Sequence, residues 1–236
     1  MRAALAGPIA PSLNRSVRIV IVEDHLMFRE VLRKVCIEEL QHTVVGEADD
    51  GRRAVELVAR TKPDLVLLDL HLPNLDGFGV VEEIRKIEPE TRILVLSSHC
   101  DEYTVFRAER ARVQGFVDKN TNTVAMLKRA IKTVSQGKVS FSDAFLRVKA
   151  ARLKDPQAFD KLLTDRERTM LSMIGEPLSD DEIAAKLELS RETVEKHRFN
   201  LLRKLNLRTT TELVRYARDH GFNLSPPKTG DDAMLP

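Results

Sequence analysis

Acidic side chains that follow apolar runs are the first residues in this sequence whose types and spacing could do chemistry. Asp69 ends a run of branched apolar residues, and Glu23 and Asp24 follow another such run. Three carboxylates at one place repel one another, which favours protonation of at least one of them unless a cation joins the group. Mg²⁺ prefers oxygen ligands of this kind and commonly binds phosphate oxygens as well. Lys119, after a later apolar run, would add a compact positive charge that suits a phosphoryl oxygen.

The first half of the chain predicts the elements that would bring these residues together. Segments with helical spacing of apolar residues alternate with five apolar runs, which cover residues 17–22, 43–45, 64–68, 92–96 and 115–117. Such alternation predicts a five-stranded parallel α/β sheet that is doubly wound, with helices on both faces. Ligands of such sheets bind beyond the carboxyl ends of the strands, where all of the candidate residues fall.

Composition narrows the class of protein. The 236 residues suffice for two domains, and a net charge of +2 leaves any nucleic-acid function to the local distribution of charge. The two cysteines, Cys36 and Cys100, cannot form a disulfide framework and favour a reducing, cytoplasmic location. No stretch approaches the roughly 20 apolar residues of a membrane helix, so we expect no membrane partner.

Residues 17–137 resemble the receiver domain of bacterial two-component response regulators. The resemblance rests on residues at the ends of four predicted strands, namely Glu23 with Asp24, residues 69–73 with Asp76 and Gly77, Ser97 with Ser98, and residues 116–119. It implies a flavodoxin-like fold in which Asp69 accepts a phosphoryl group from a sensor histidine kinase or a small phosphodonor. It also implies that Mg²⁺ is held by Glu23, Asp24, Asp69 and the backbone carbonyl of His71.

The same resemblance assigns a switch. Ser97 and Lys119 would bind the phosphoryl oxygens, and Phe116 would turn inward as Ser97 moves. A phosphoryl group brings about −1.5 to −2 charge and three strong acceptors, and hydroxyl and ammonium groups move to meet them. We expect residues 101–116 to be the packed surface with two arrangements that transmits this movement.

The second half of the chain predicts a compact helical domain. The spacing predicts two capping boxes, one formed by Thr164 with Glu167 and one by Ser179 with Glu182. Ser190 is a predicted N-cap for a third helix. Two of these helices, joined at residues 188–190, have the pattern of a helix-turn-helix, with a packed corner of Ile183, Ala184, Leu187 and Val194. The segment of residues 191–208 is mainly basic, which suits attraction to a DNA backbone.

Residues 160–221 resemble the four-helix LuxR/NarL-type DNA-binding domain. The resemblance rests on residues 163–167, 182–184, 190–194, 197–198 and 203–205. It implies that residues 191–205 form a recognition helix in the major groove, with Glu195, Lys196 and Phe199 nearest the base edges. Phosphates would be contacted by Arg191, Arg198, Arg203, Lys204 and Arg208. Pro177 and Glu188 stand where glycine is common, so we expect the first helix to end at Gly175.

Simpler explanations exist for each residue alone. A single aspartate after a strand is usually a helix cap or loop acid, and a basic helix is usually a solvated surface. The ordered partners at four strand ends argue against the first explanation, and the turn, caps and spacing argue against the second. A phosphatase with an aspartyl nucleophile would need a second acid where this sequence has His71.

These features predict a phosphorylation-dependent DNA-binding transcriptional regulator without enzyme activity beyond Mg²⁺-dependent self-phosphorylation and slow self-dephosphorylation. The receiver would mask the recognition helix or hold the monomer until phosphorylation permits a homodimer on double-stranded promoter DNA. The alternative is a receiver protein that acts through protein contacts or without phosphorylation. We expect a disordered extension at residues 1–16, a receiver at 17–137, a linker at 138–159, the helix-turn-helix domain at 160–221 and a flexible tail at 222–236.

Overall fold

The computed structural model describes residues 16–222, so the predicted terminal extension and tail lie almost wholly outside the described residues. The first domain contains a parallel sheet with the strand order β2-β1-β3-β4-β5-β6. The strands are β1 Arg18–Val22, β2 Thr43–Ala48, β3 Leu65–Asp69, β4 Arg92–Ser97, β5 Gly115–Asp118 and β6 Ser140–Phe141. The α/β fold and its five predicted strands are confirmed. The sixth strand is short and pairs with β5 inside the segment predicted to be a linker.

Helices cover both faces of the sheet because the strands direct alternate side chains into two apolar layers. The helices are α1 Leu26–Lys34, which continues as a π-helical turn Val35–Glu39, α2 Gly51–Thr61, α3 Gly77–Ile87, α4 Glu102–Arg110 and α5 Val124–Ser135. Val20 and Val66 pack with α2, α3 and α4, whereas Ile19 and Leu65 pack with α1 and α5. Burial on both faces explains why the strands are uninterrupted apolar runs.

The segment after α5 packs on the receiver. A helix, α6 Asp143–Lys154, follows β6, and a short helix, α7 Phe159–Leu162, leads into the second domain. The ring of Phe145 in α6 is buried, and its centroid lies 5.1 Å from that of Phe116 in β5. The predicted linker is therefore mostly regular structure that extends the receiver.

The second domain consists of short helices with well-defined ends. They are α8 Asp165–Gly175, α9 Asp180–Leu187, α10 Arg191–Lys204 and α11 Thr210–Asp219. The capping boxes at Thr164 and Ser179 and the N-cap at Ser190 are all present, so these predictions are confirmed. The first of the four helices ends at Gly175, as predicted. Glu188 adopts a left-handed conformation, with φ of 53°, at the turn of the helix-turn-helix.

The two domains meet through α4. Tyr103 and Phe106 of α4 join the apolar core of the second domain, where they contact Phe159 and Phe222. The sequence assigned Phe222 to a flexible tail, but its side chain is buried with Tyr103 stacked on it at 4.0 Å between centroids. Its aromatic partners are Tyr103 of α4 and Phe159 of α7, so its burial depends on tertiary contacts that leave no local signal in the sequence. Within the described part of the chain, no helix has the length and apolarity needed to cross a membrane.

Candidate acidic pocket and nucleic-acid interface

Lys119 lies at the centre of the acidic pocket formed at the carboxyl ends of the strands. Its ammonium group is 2.8 Å from Oδ2 of Asp69 and 2.8 Å from Oε2 of Glu23. The ring of Phe28 lies 4.7 Å from the same nitrogen. Asp69, the last residue of β3, also accepts a hydrogen bond at Oδ1 from the backbone N–H of His71, at 3.2 Å. The topology therefore brings together side chains that are far apart in the sequence.

Glu23 is fully buried and carries an unsatisfied oxygen. Among the described residues, its Oε1 accepts no hydrogen bond, although Nδ1 of the exposed His25 lies 3.5 Å from it. The pKa of Glu23 is raised to about 7. Burial is the largest cause and the negative charge of Asp69 the second, while Lys119 opposes the shift. A buried oxygen without a donor and with a raised pKa is well suited to accept a cation in place of a proton.

Asp24 and His25 complete the group of candidate metal ligands. Ligand atoms of Glu23, Asp24, His25 and Asp69 all lie within 4.8 Å of one another. Asp24 is exposed, and its Oδ1 lies 2.8 Å from Nδ1 of His25. Three of the four groups offer oxygen, so the residues present fit a hard ion such as Mg²⁺, with His25 oriented to hold Asp24. His25 directly follows the two acids but was not among the predicted ligands, because a single histidine beside them carries no pattern of its own.

The predicted switch residues lie next to this pocket. Ser97 ends β4, is fully buried, and accepts a hydrogen bond at Oγ from the backbone N–H of His99, at 3.1 Å. Phe116 is also fully buried, beneath Phe145. Its predicted inward movement stays a prediction, as do the roles of Ser97 and of the His71 carbonyl. The imidazole rings of His71 and His99 pack together at 4.5 Å, and burial lowers the pKa of His71.

Helix α10, the recognition helix of the sequence analysis, has one packed face and one open face. Val194 and Leu201 are fully buried in the core of the domain. The predicted base-facing residues are all exposed, and they are Glu195, Lys196 and Phe199. The receiver therefore does not mask the recognition helix in this arrangement of the domains. The predicted masking is wrong for this arrangement, because α4 contacts α7, the start of α8 and residues 220–222, while the base-facing residues of α10 stay exposed.

The predicted phosphate-contacting residues divide into two groups. Arg191 pairs with Glu195 at 3.1 Å and Asp181 at 3.4 Å, Lys204 pairs with Glu167 at 2.8 Å, and Arg198 pairs with Asp180. Within residues 16–222, the guanidinium groups of Arg203 and Arg208 form no ion pair and are exposed. Arg198 is largely buried at 15% side-chain exposure, so its ion pair also ties α10 to α9.

Comparison with known proteins identifies both domains. Residues 19–131 match the family described as response regulator receiver domain, and residues 161–217 match bacterial regulatory proteins, luxR family. The chain is 33% identical over 203 residues to the Fimbriae Z protein of Salmonella typhimurium, which covers 86% of this chain and 96% of that protein. This chain belongs to the luxR-family response regulators. It is accordingly a DNA-binding transcription regulator of a two-component system.

Other relatives of this response regulator align along nearly their whole length. It is 30% identical over 207 residues to the response regulator protein VraR of Staphylococcus aureus, which covers 88% of this chain and 99% of that protein. Its fold resembles that of RcsB from Salmonella enterica serovar Typhimurium bound to promoter P1flhDC in the presence of the phosphomimetic BeF₃⁻. That likeness has a TM-score of 0.62, with 22% identity, and covers 87% of this chain and 99% of that one.

Two further residues of this response regulator escaped the sequence analysis. Phe145 covers the predicted switch residue Phe116. Arg152, also in α6, is 3% exposed and pairs with Glu109 of α4 and with Asp160 of α7. A buried arginine in an otherwise polar segment gives no pattern that distinguishes it from a surface residue, because only its tertiary partners reveal the role.

Proposed function

We propose that a sensor histidine kinase transfers a phosphoryl group to Asp69, and that this transfer controls binding of the second domain to double-stranded promoter DNA. The observation that carries the proposal is the position of α4. This helix begins shortly after Ser97, at the edge of the acidic pocket, and provides the contact with the DNA-binding domain. A change at the pocket thus has a direct physical connection to the second domain.

The acidic pocket supports phosphoryl transfer by positioning and charge neutralisation. A carboxylate oxygen of Asp69 would attack the phosphorus of phosphohistidine, and the bond from phosphorus to the leaving imidazole nitrogen would break. Mg²⁺, held by Glu23 and Asp24, would neutralise charge on the phosphoryl oxygens when bound. Lys119 already lies at Asp69, so the ammonium group would move only slightly to meet a new phosphoryl oxygen. We propose that Ser97 supplies a hydroxyl donor and that self-dephosphorylation is slow.

An exposed apolar surface supports the kinase as partner. Leu26 and Met27 at the start of α1 and Val124 and Met126 at the start of α5 are exposed. Both helices lie on the same face of the sheet and begin at the edge that carries Asp69. Exposed apolar side chains beside a reactive carboxylate suit docking of a protein that presents a phosphohistidine.

Two features support promoter DNA as the ligand of the second domain. The predicted base-facing side chains project from an open helix face, and the basic residues flank them. We propose that α10 lies in the major groove and that two chains bind two half-sites as a homodimer. Arg203 and Arg208 would contact phosphates first, since Arg191, Arg198 and Lys204 must exchange a carboxylate for a phosphate.

The proposal is tested with the full-length protein, Mg²⁺ and a small phosphodonor or beryllofluoride. With the phosphodonor, intact mass should report one phosphoryl group, and with either reagent binding to sites selected from a random DNA pool should tighten. Asp69→Asn should lose both effects, whereas Asp64→Asn, which changes an acid at the other end of β3, should keep them. Phosphate uptake by Asp69→Asn at the wild-type level would show that Asp69 is not the acceptor. Binding with no steep salt dependence would favour the protein-interaction alternative.

A further inference from the structure

Phe199 has a side chain whose position folding does not explain. It is 65% exposed, and in the described part of the second domain, residues 160–222, it is the large apolar side chain left exposed. Phe222, the other phenylalanine of this domain, and Phe159, which directly precedes it, are both buried in the core that also contacts α4. Helical geometry orients Phe199 away from Val194 and Leu201, which occupy the packed face of α10.

The surroundings of Phe199 indicate what kind of surface it meets. Lys196 lies three residues before it and Arg203 four residues after it, so both lie on the same helix face, and both are exposed. An apolar ring between two cations suits a polyanion that also presents an apolar group. In the major groove, which admits an α-helix, the apolar group on the base edges is the C5-methyl of thymine. Apolar wedges between base steps are instead typical of minor-groove binding.

We propose that Phe199 selects thymine by packing its ring against the C5-methyl group of one thymine in each half-site. This inference rests on the proposed DNA-binding function and assigns one base of the recognised sequence. Lys196 and Glu195 would read neighbouring base pairs through polar contacts, with Glu195 released from Arg191, to which it is paired at 3.1 Å without DNA. Burial of one methyl group corresponds to about a fourfold change in affinity, or about sixteenfold for two half-sites that act independently.

Deoxyuridine provides the test, because it has the hydrogen-bonding edge of thymine without the methyl group. Sites are first selected from a random pool with full-length protein activated by beryllofluoride and Mg²⁺. Each thymine of the selected site is then replaced in turn by deoxyuridine, and the dissociation constants of the wild type, Phe199→Ala and Lys196→Ala are measured. Phe199 is exposed and alanine favours helices, so Phe199→Ala should fold, which its thermal unfolding verifies.

We expect one thymine per half-site at which deoxyuridine weakens the wild type by about fourfold. Phe199→Ala should bind the two bases equally there. Lys196→Ala should bind more weakly overall but keep the fourfold discrimination. The inference is overturned if no thymine shows this pattern, or if the discrimination survives in Phe199→Ala. A wild-type protein that selects no DNA would instead overturn the proposed function itself, so the two failures are distinguishable.

Discussion

The carboxyl group of Glu23 is stabilised by Lys119 in its ionised form but favoured in its protonated form by burial and by the charge of Asp69. Its Oε2 bonds to Lys119, while its Oε1 has no hydrogen-bond partner in the described part of the protein. Burial and the neighbouring Asp69 raise its pKa from 4.5 to about 7, so near neutral pH the carboxyl is only partly ionised. A metal ion needs the ionised form, and binding must therefore displace the proton.

We predict that Mg²⁺ binding depends on pH through this proton. Below about pH 7 the apparent affinity should fall by up to tenfold per pH unit, and above it the affinity should level off. Without the ion, ionisation of Glu23 should lower the free energy of unfolding as the pH rises from 4.5 to about 7, because the folded state binds the proton more tightly. Calorimetric titration and urea unfolding across this range measure both effects.

Glu23→Gln is the matched control for this prediction. It keeps the shape of the side chain but removes the titration, so its Mg²⁺ affinity should be weak and nearly independent of pH between about 5.5 and 8.5. Equal Mg²⁺ affinity of the wild type at both ends of this range would contradict the prediction. Lys119→Met would then show how much the ammonium group contributes to the ionisation of Glu23, because it removes the cation that pairs with this carboxylate.

At the scale of elements, the sequence predicted the strands and the helix starts, because local residue patterns determine both. Apolar runs that alternate with segments of helical spacing predicted the strands, and Ser or Thr followed three residues later by Glu predicted the helix starts. The short strand β6 and the packing of α6 were missed, since Phe141 and Phe145 become core residues only against the edge of β5. The acidic pocket was predictable because parallel strands place their carboxyl ends at one edge.

Helix α6 contacts the predicted switch residue Phe116 near its start and the elements that lead to the second domain near its end. Phe145 covers Phe116, while Arg152 pairs with Glu109 of α4 and Asp160 of α7 and lies over the ring of Phe106. Breaking a buried ion pair by removing one partner is strongly destabilising, so Arg152 is a poor site for a functional variant. The ring of Phe145 offers a milder change.

We predict that Phe145→Leu weakens the coupling between phosphorylation and DNA binding. The smaller side chain should cost roughly 1 kcal/mol of stability and leave Phe116 loosely covered. Beryllofluoride should still bind, but the ratio of DNA affinities with and without it should fall severalfold, since coupling of this kind is typically about 5–150-fold. Leu146→Ala, at an exposed neighbouring position of α6, should keep the wild-type ratio. An unchanged ratio in Phe145→Leu would exclude this route.

At the scale of the whole molecule, α4 connects the receiver to the second domain through polar as well as aromatic contacts. The backbone N–H of Tyr103 donates to the carbonyl of His220 at 3.1 Å, and Glu102 lies 2.9 Å from Nδ1 of His220. Arg110 pairs with Asp165 at the start of α8. The recognition helix remains open, so this contact would restrain the second domain by fixing its orientation and hindering symmetric pairing with another chain.

Gly221 permits this close approach of the domains. It has a φ of 80°, and a Cβ at this position would overlap the carboxylate of Asp101. Asp101 cannot easily yield, because its two oxygens cap α4 through the backbone N–H and the hydroxyl of Thr104. A side chain at position 221 should therefore separate the domains without touching α10 or the acidic pocket.

We predict that Gly221→Ala binds promoter DNA more tightly than the wild type in the absence of a phosphodonor. Gly137→Ala is the matched control, because Gly137 has the same φ of 80° but its nearest neighbour would be 3.8 Å away. Both variants carry a backbone cost of about 1–2 kcal/mol, so a difference between them reports the domain contact. Small-angle scattering should show a larger radius of gyration for Gly221→Ala alone. If the two variants bind DNA equally and scatter alike, the contact through α4 does not restrain the second domain.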